Sequence, residues 1–226
     1  MPKTAGNSLK LVLEEHFGDA MISDYLDFPM NVAPRERHRQ AIKGGTAVAE
    51  AEAGLRHIRC VHGHFLPIKY LLLADLRPAV FTAWLREPVA RLISHYHYWF
   101  DAYDPDAFDT RPLHRRVVEE QWSLEKFCLS EELRNLYSQY LWGFPLERFD
   151  FVGIMEHYES DLREFSLAYL DSELPARSVN VRQSPRPGTE ELDLETRARV
   201  EAWHAADVAL YQRALATREV RLGGGG

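Results

Sequence analysis

Three short stretches of this chain carry residue types suited to binding anions and moving protons. The first is Lys3, Thr4, Ala5, Gly6, Asn7, Ser8 and Leu9, directly before an apolar helical pattern. Lys3 supplies a cation, and Gly6 lets backbone approach a ligand closely. The peptide N–H groups of residues 6–9 would point out of a helix N-terminus, which favours phosphate or sulfate. Ser8 adds a hydroxyl donor. The pattern G-x-x-x-x-G-K-[ST] is absent, which disfavours an NTP kinase. The plainer alternative is a surface helix capped by Asn7 or Thr4. In the second stretch, Arg86 ends an apolar strand pattern and Ser94 lies on the next helix, off its apolar stripe. Both can converge on one phosphate, for which Arg offers a bidentate fork that Lys lacks. The alternative for Arg86 is an ion pair with Glu87 or Asp75. In the third, "CVHGHF", His62 and His64 flank Gly63 and project to one side of an extended chain. Such a pair can hold a metal, act as acid and base, or serve only as hydrogen-bonded structure. A metal would need a third ligand, and the neighbouring sequence offers none clearly.

The elements that must position these residues alternate between strand and helix. Residues 7–17 predict a largely buried helix through Leu9, Leu11, Val12, Leu13 and His16, stopped by Gly18. The basic, polar run 35–45 reads as a solvated segment. A short strand is expected at 57–61 and a helix from Pro67, a residue suited to a first helical turn. Residues 79–86 form an apolar strand of the kind buried on both faces. Pro88 then opens a helix whose apolar stripe is Val89, Leu92, Ile93, Tyr96 and Phe100. "FDFVGIM" predicts a third strand with a helix behind it, and one long helix is expected over 189–216. This alternation implies right-handed crossovers and an α/β fold with a mainly parallel sheet. Ligands in such folds sit beyond the carboxyl ends of the strands, where all three stretches fall.

With 226 residues, the chain suits one α/β domain, taken as 1–222 with a flexible Gly tail at 223–226. A net charge of -7 argues against bulk nucleic-acid binding and confines any polyanion site to a local basic patch. Cys60 and Cys128 give neither a disulfide framework nor a zinc pattern. No apolar run reaches membrane-spanning length, so no stable membrane insertion is expected. A soluble, cytoplasmic, bacterial-type protein follows if the N-terminus is complete.

Taken in order, these segments resemble the carbohydrate sulfotransferases, in particular the heparan sulfate 2-O-sulfotransferase-like branch. "PKTAGNSL" resembles that family's 5′-phosphosulfate loop, with Asn7 where the family usually has Thr or Ser. "LREPVARLISHY" resembles its 3′-phosphate motif, in which Arg and Ser stand eight apart, as Arg86 and Ser94 do. "HGHF" is similar to the segment carrying the catalytic histidine, which matches His64 with His62 as neighbour. "NLYSQYLWG", "FDFVGIMEHYESDL" and "SVNVRQS" also resemble family segments. The resemblance implies a P-loop-NTPase-like three-layer fold around a mainly parallel central sheet. It also implies 3′-phosphoadenosine 5′-phosphosulfate as donor, no metal, and a hydroxyl of a carbohydrate or glycolipid as acceptor. The family has a strand before the opening loop, so the first strand is expected to be missing from this chain.

On that resemblance, Lys3 and the residues through Leu9 grip the donor, Arg86 and Ser94 hold its 3′-phosphate, and His64 is the base. Arg182 and Arg186, in "VNVRQSPR", would close over the nucleotide. The basic stretches "RERHR" and "RPLHRR" could hold an acidic glycan or form solvated faces, and Trp99, Phe100, Trp122 and Trp142 could stack on sugar rings, although aromatics at helical spacing more often belong to the core. The alternatives are a metal-dependent hydrolase built on His62 and His64, and a non-catalytic nucleotide-binding relative.

Overall fold

The computed structural model describes residues 1–4, 6–27, 29–107, 111–176 and 192–223. The chain folds as a mixed α/β protein. Helix α1 (Gly6–Phe17) buries Ser8, Leu9, Val12 and Leu13. Strand β1 (Met21–Asp24) then runs into helix α2 (Pro34–Glu50). Strand β2 (Cys60–Gly63) leads through a short 3₁₀ turn to helix α3 (Leu71–Leu76). Strand β3 (Thr82–Leu85) is followed by helix α4 (Pro88–Asp101). Three shorter helices follow: α5 (Pro112–Glu119), α6 (Leu124–Cys128) and α7 (Leu136–Tyr140). Strand β4 (Phe151–Ile154), helix α8 (Tyr158–Leu170), helix α9 (Leu194–Trp203) and helix α10 (Ala205–Gly223) complete the order.

All strand pairings among the described residues are parallel, as the alternation predicts, but they do not join into one sheet. β1 pairs with β2, and β3 pairs with β4, as two separate two-stranded sheets. The expected single central sheet is therefore corrected to two short parallel pairs. The β3–β4 pair is covered on both sides. Trp84 and Phe151 pack with Leu9, Val12 and Leu13 of α1 and with Leu162 and Phe165 of α8. Leu85, Val152 and Ile154 face Tyr137, Tyr211 and Ala214 of α7 and α10. This two-sided burial explains why both strands read as apolar runs. A third cluster joins Val89, Leu92 and Trp99 of α4 to Leu113, Val117, Trp122, Leu124 and Phe127.

Three local expectations are corrected. The run 35–45 is not a solvated segment but most of α2. It buries Arg37, Ala41 and Gly45, one residue per turn, so its core-facing stripe is too narrow and too polar to read as hydrophobic. The strand expected at 57–61 runs from Cys60 to Gly63 and pairs with β1, a strand that the sequence pattern did not announce. The single terminal helix breaks between α9 and α10 at His204, which is fully buried. Its Nε2 donates to the Cys128 carbonyl at 2.7 Å, while Nδ1 accepts the Asn135 N–H at 3.1 Å. Those two bonds fix the tautomer and anchor the turn between the helices. α10 continues through Gly223. No helix among the described residues is long and apolar enough to cross a membrane.

Candidate functional site

The three chemically suggestive stretches meet in one cleft of about 1280 Å³. Lys3, Gly6, Asn7 and Ser8 line it from the start of α1, His64 from just beyond β2, and Arg86 and Ser94 from β3 and α4. All but Ser94, which lies midway along α4, sit just beyond the carboxyl end of a strand or at a helix start, where an α/β fold exposes backbone and side chains to ligands.

The opening loop divides between cleft and core. Lys3 adopts a left-handed backbone conformation, with φ of 64°. A non-glycine residue rarely holds this conformation unless its surroundings fix it. Its Nζ lies 4.0 Å from the centroid of the Tyr98 ring, a cation–π contact. Thr4 turns inward, its Oγ1 donating to the Met1 carbonyl at 2.9 Å. Leu9 packs in the core beside Trp84 and does not line the cleft. The side chains of Thr4 and Leu9 thus hold the loop in place rather than facing a ligand. Ala5, Arg182 and Arg186 lie outside the described residues.

Arg86 is held by its backbone. The Tyr137 hydroxyl accepts the Arg86 N–H at 2.9 Å and donates to the Arg86 carbonyl at 2.7 Å. Tyr137 is anchored in turn by Asp207 of α10, whose carboxylate accepts the N–H groups of Tyr137 at 2.9 Å and Ser138 at 3.0 Å. The ion pair weighed for Arg86 does not form with either residue named for it. Glu87 instead caps α4, accepting from the N–H groups of Val89 and Ala90, and pairs with Arg197 at 3.3 Å. Among the described residues the Arg86 guanidinium, half-buried, makes no ion pair or hydrogen bond.

His64 and His62 take different positions. His64 faces the cleft, and a Cβ built at Gly6 would lie 3.7 Å from its Nε2, so that nitrogen points at the opening loop. His62 does not line the cleft; its Nδ1 lies 3.2 Å from the Tyr25 hydroxyl. Burial pushes the His64 imidazole down to about 2, aided by the charges of the Met1 amino group, His62 and Lys3. Burial, with the Met1 amino group and Lys10, likewise lowers His62 to about 4. Both rings are therefore neutral at physiological pH. No group of three His, Cys, Asp or Glu side chains among the described residues is placed to hold a metal ion.

The buried histidines also carry a stability prediction. His62 and His204 fall to about 4, His64 to about 2, and His95 well below its usual value, burial being the leading cause in each. The unfolded chain takes up protons at these positions below about pH 6.5, while the folded chain does not. Their stabilising contribution is whole above that pH and is lost as pH falls. The thermal midpoint is expected to drop by several degrees between about pH 6.5 and 5, at up to ~1.4 kcal/mol per pH unit for each imidazole. Calorimetry at constant ionic strength checks this; a midpoint flat across that range contradicts it.

The cleft also holds residues that no sequence argument singled out individually: Tyr25, His95 and Tyr98, with Glu156 and Tyr158 beyond β4. Tyr98 lies four positions after Ser94, so extending that face of α4 by one turn would have found it, whereas His95 projects from the adjacent, buried side of the helix. Of the four aromatics weighed for sugar stacking, only Trp99 lines the cleft. Trp122 lies under Arg116 and Lys126, Trp142 stacks on His38, and Phe100 packs against the α4 core. The "RPLHRR" stretch contributes Arg111 and His114, whereas "RERHR" lies on α2, where Arg37 is buried and donates to Gln139. Lys3, Lys10, Arg86 and Arg111 bring positive charge to the lining, alongside the carboxylates of Asp27, Glu156 and Glu159.

No family model matches this chain. Neither does any curated protein or any solved structure.

Proposed function

We propose that this protein transfers a sulfuryl group from 3′-phosphoadenosine 5′-phosphosulfate to a hydroxyl of a carbohydrate or glycoconjugate, on a P-loop-NTPase-like fold. The observation that carries the reading is the convergence of Lys3, Gly6, Asn7, Ser8, His64, Arg86 and Ser94, from three distant segments, on one cleft. The fold part draws on the loop leading into α1 and on the parallel order of β1–β2 and β3–β4.

The donor supplies an activated sulfur–oxygen bond. The chain's own groups supply positioning, charge and a proton acceptor, as in phosphoryl transfer. Arg86 and Ser94 bind the 3′-phosphate, so that simpler adenylates are discriminated against. His64 accepts the acceptor hydroxyl's proton at Nε2 as the new oxygen–sulfur bond forms and the sulfur–oxygen bond to phosphate breaks. Lys3 and the N–H groups at the start of α1 take up the charge left on the departing phosphate oxygen. No step calls for a metal. Arg111 offers positive charge for the acceptor, with acidic glycans favoured.

Two measurements test the proposal together. Calorimetry should show binding of adenosine 3′,5′-bisphosphate, and labelled-sulfate transfer against a glycan panel should give a labelled product. Binding without transfer to any acceptor would leave a nucleotide-binding protein; absence of binding would overturn the reading.

A further inference from the structure

We propose that Tyr25 is a positioning residue for the His64 imidazole, held against it by a buried Asp24–Lys69–Asp27 clamp. The inference rests on the reading of His64 as the base. Nothing in the sequence pattern marks Tyr25; its role follows from the β1–β2 register.

That register sets Asp24 opposite Gly63, so both chains leave the sheet side by side. The His64 N–H donates to the Asp24 carbonyl at 2.9 Å. A Cβ at Gly63 would lie 1.7 Å from the same carbonyl oxygen, so the strands approach more closely here than any side chain allows. Beyond the sheet, Lys69 ties the two departing segments together. Its Nζ lies 2.8 Å from Asp24 Oδ2 and 2.9 Å from Asp27 Oδ2, and all three side chains are at least nine-tenths buried. The carboxylates are further satisfied. Asp24 accepts from the Tyr70 hydroxyl at 2.8 Å and the Leu26 N–H at 3.1 Å, and Asp27 accepts from the Leu66 N–H at 2.9 Å. Helix α2 lies across the clamp at Gly44 and Gly45; a Cβ on Gly45 would come within 3.1 Å of the Lys69 carbonyl oxygen.

A buried ion cluster of this kind is a weak source of stability, because desolvation offsets most of the attraction. What it gives is one arrangement of the groups around it. Tyr25 sits between the two clamped aspartates. Its ring meets the His64 ring edge-on, with centroids 4.9 Å apart and planes at 77°. Its hydroxyl reaches His62 Nδ1 at 3.2 Å. The His64 imidazole is therefore confined between Tyr25 and the loop at Gly6, toward which its Nε2 points. A base whose ring can swing spends little time in reach of a proton.

The test uses the full chain with ring-labelled histidine and the variants Tyr25→Leu and Tyr25→Phe. Tyr25 is only half-buried, so both are expected to fold. In Tyr25→Leu the His64 ring resonances should move, and turnover should fall about tenfold or more, with donor KM and the affinity for adenosine 3′,5′-bisphosphate within about twofold of the parent. Tyr25→Phe should keep the His64 resonances and most of the turnover, moving only the His62 Nδ1 signal. If Tyr25→Leu does not fold, Asp27→Asn reads the clamp instead and should displace the same His64 signals. Unmoved His64 resonances in a folded Tyr25→Leu or Asp27→Asn protein would overturn the proposal. So would an equal loss of turnover in Tyr25→Phe and Tyr25→Leu. Should the parent protein transfer no sulfuryl group at all, the functional reading fails, while the resonances still report whether Tyr25 positions His64.

Discussion

Replacing His64 by alanine is expected to lower sulfuryl transfer about 10²-fold or more, the scale for loss of a general base, while the affinity for adenosine 3′,5′-bisphosphate stays nearly unchanged. Burial and the nearby positive charges keep this imidazole neutral, down at about 2, so its removal deletes a proton acceptor and no charge that would bind the donor. A base so weak would take a proton reluctantly from an alcohol. A polyanion lodged beside Lys3 opposes the charge part of that depression and so favours proton uptake by the imidazole, while burial, the leading cause, stays in place. The effect should therefore appear in kcat rather than in KM, because the base is brought into play in the bound state. Steady-state kinetics and calorimetry on the same preparation check both halves. Turnover equal to the parent's would remove His64 from the reaction. A parallel loss of nucleotide affinity would give it a binding role instead.

The parts of this molecule that were legible in the sequence share a physical cause. α1, β3, α4, β4 and α8 each combine a wide apolar face or a two-sided apolar run with a clear start or stop, such as Pro88 at the first position of α4. Their patterns are set by burial against the two largest-scale features of the fold, the β3–β4 pair and the α4 core. α2 was not legible because its packing face is narrow and includes the polar Arg37 and the bare Gly45. β1 was not legible because four residues, two of them polar, give too short a window for a period to appear. The division into two parallel pairs could not be read either. Alternating strands and helices predict strand direction, not which neighbours exchange hydrogen bonds. For the cleft, Lys3, Ser8, His64 and Arg86 stood out because their types suit an anion or a proton and their positions follow predicted strands or open a helix, and Ser94 because it lies off the apolar stripe of the helix after Arg86. Tyr25, Asp24 and Lys69 did not, since what brings them together is a register between β1 and β2 that no local pattern encodes.

Arg86→Ala gives the other large effect, and it should be confined to one phosphate. The Arg86 backbone is fixed by the Tyr137 hydroxyl through both its N–H and its carbonyl, and neither bond involves the guanidinium. The side chain supports no ion pair among the described residues, so truncation leaves no buried charge unpaired and the thermal midpoint should hardly move. A bidentate contact from this guanidinium to a 3′-phosphate would contribute ~1.5–3 kcal/mol, as hydrogen bonds to charged groups do. Affinity for adenosine 3′,5′-bisphosphate should thus fall roughly 10- to 10²-fold. Adenosine 5′-monophosphate, which lacks the 3′-phosphate, should bind parent and variant alike. Ser94→Ala should move the same ligand in the same direction by less, because a neutral hydroxyl donor is worth about half as much as a charged one. Equal losses for both nucleotides would mean that Arg86 contributes only general positive charge to the cleft. An unchanged affinity for the bisphosphate would place the 3′-phosphate elsewhere, and with it the orientation of the donor across Lys3 and His64.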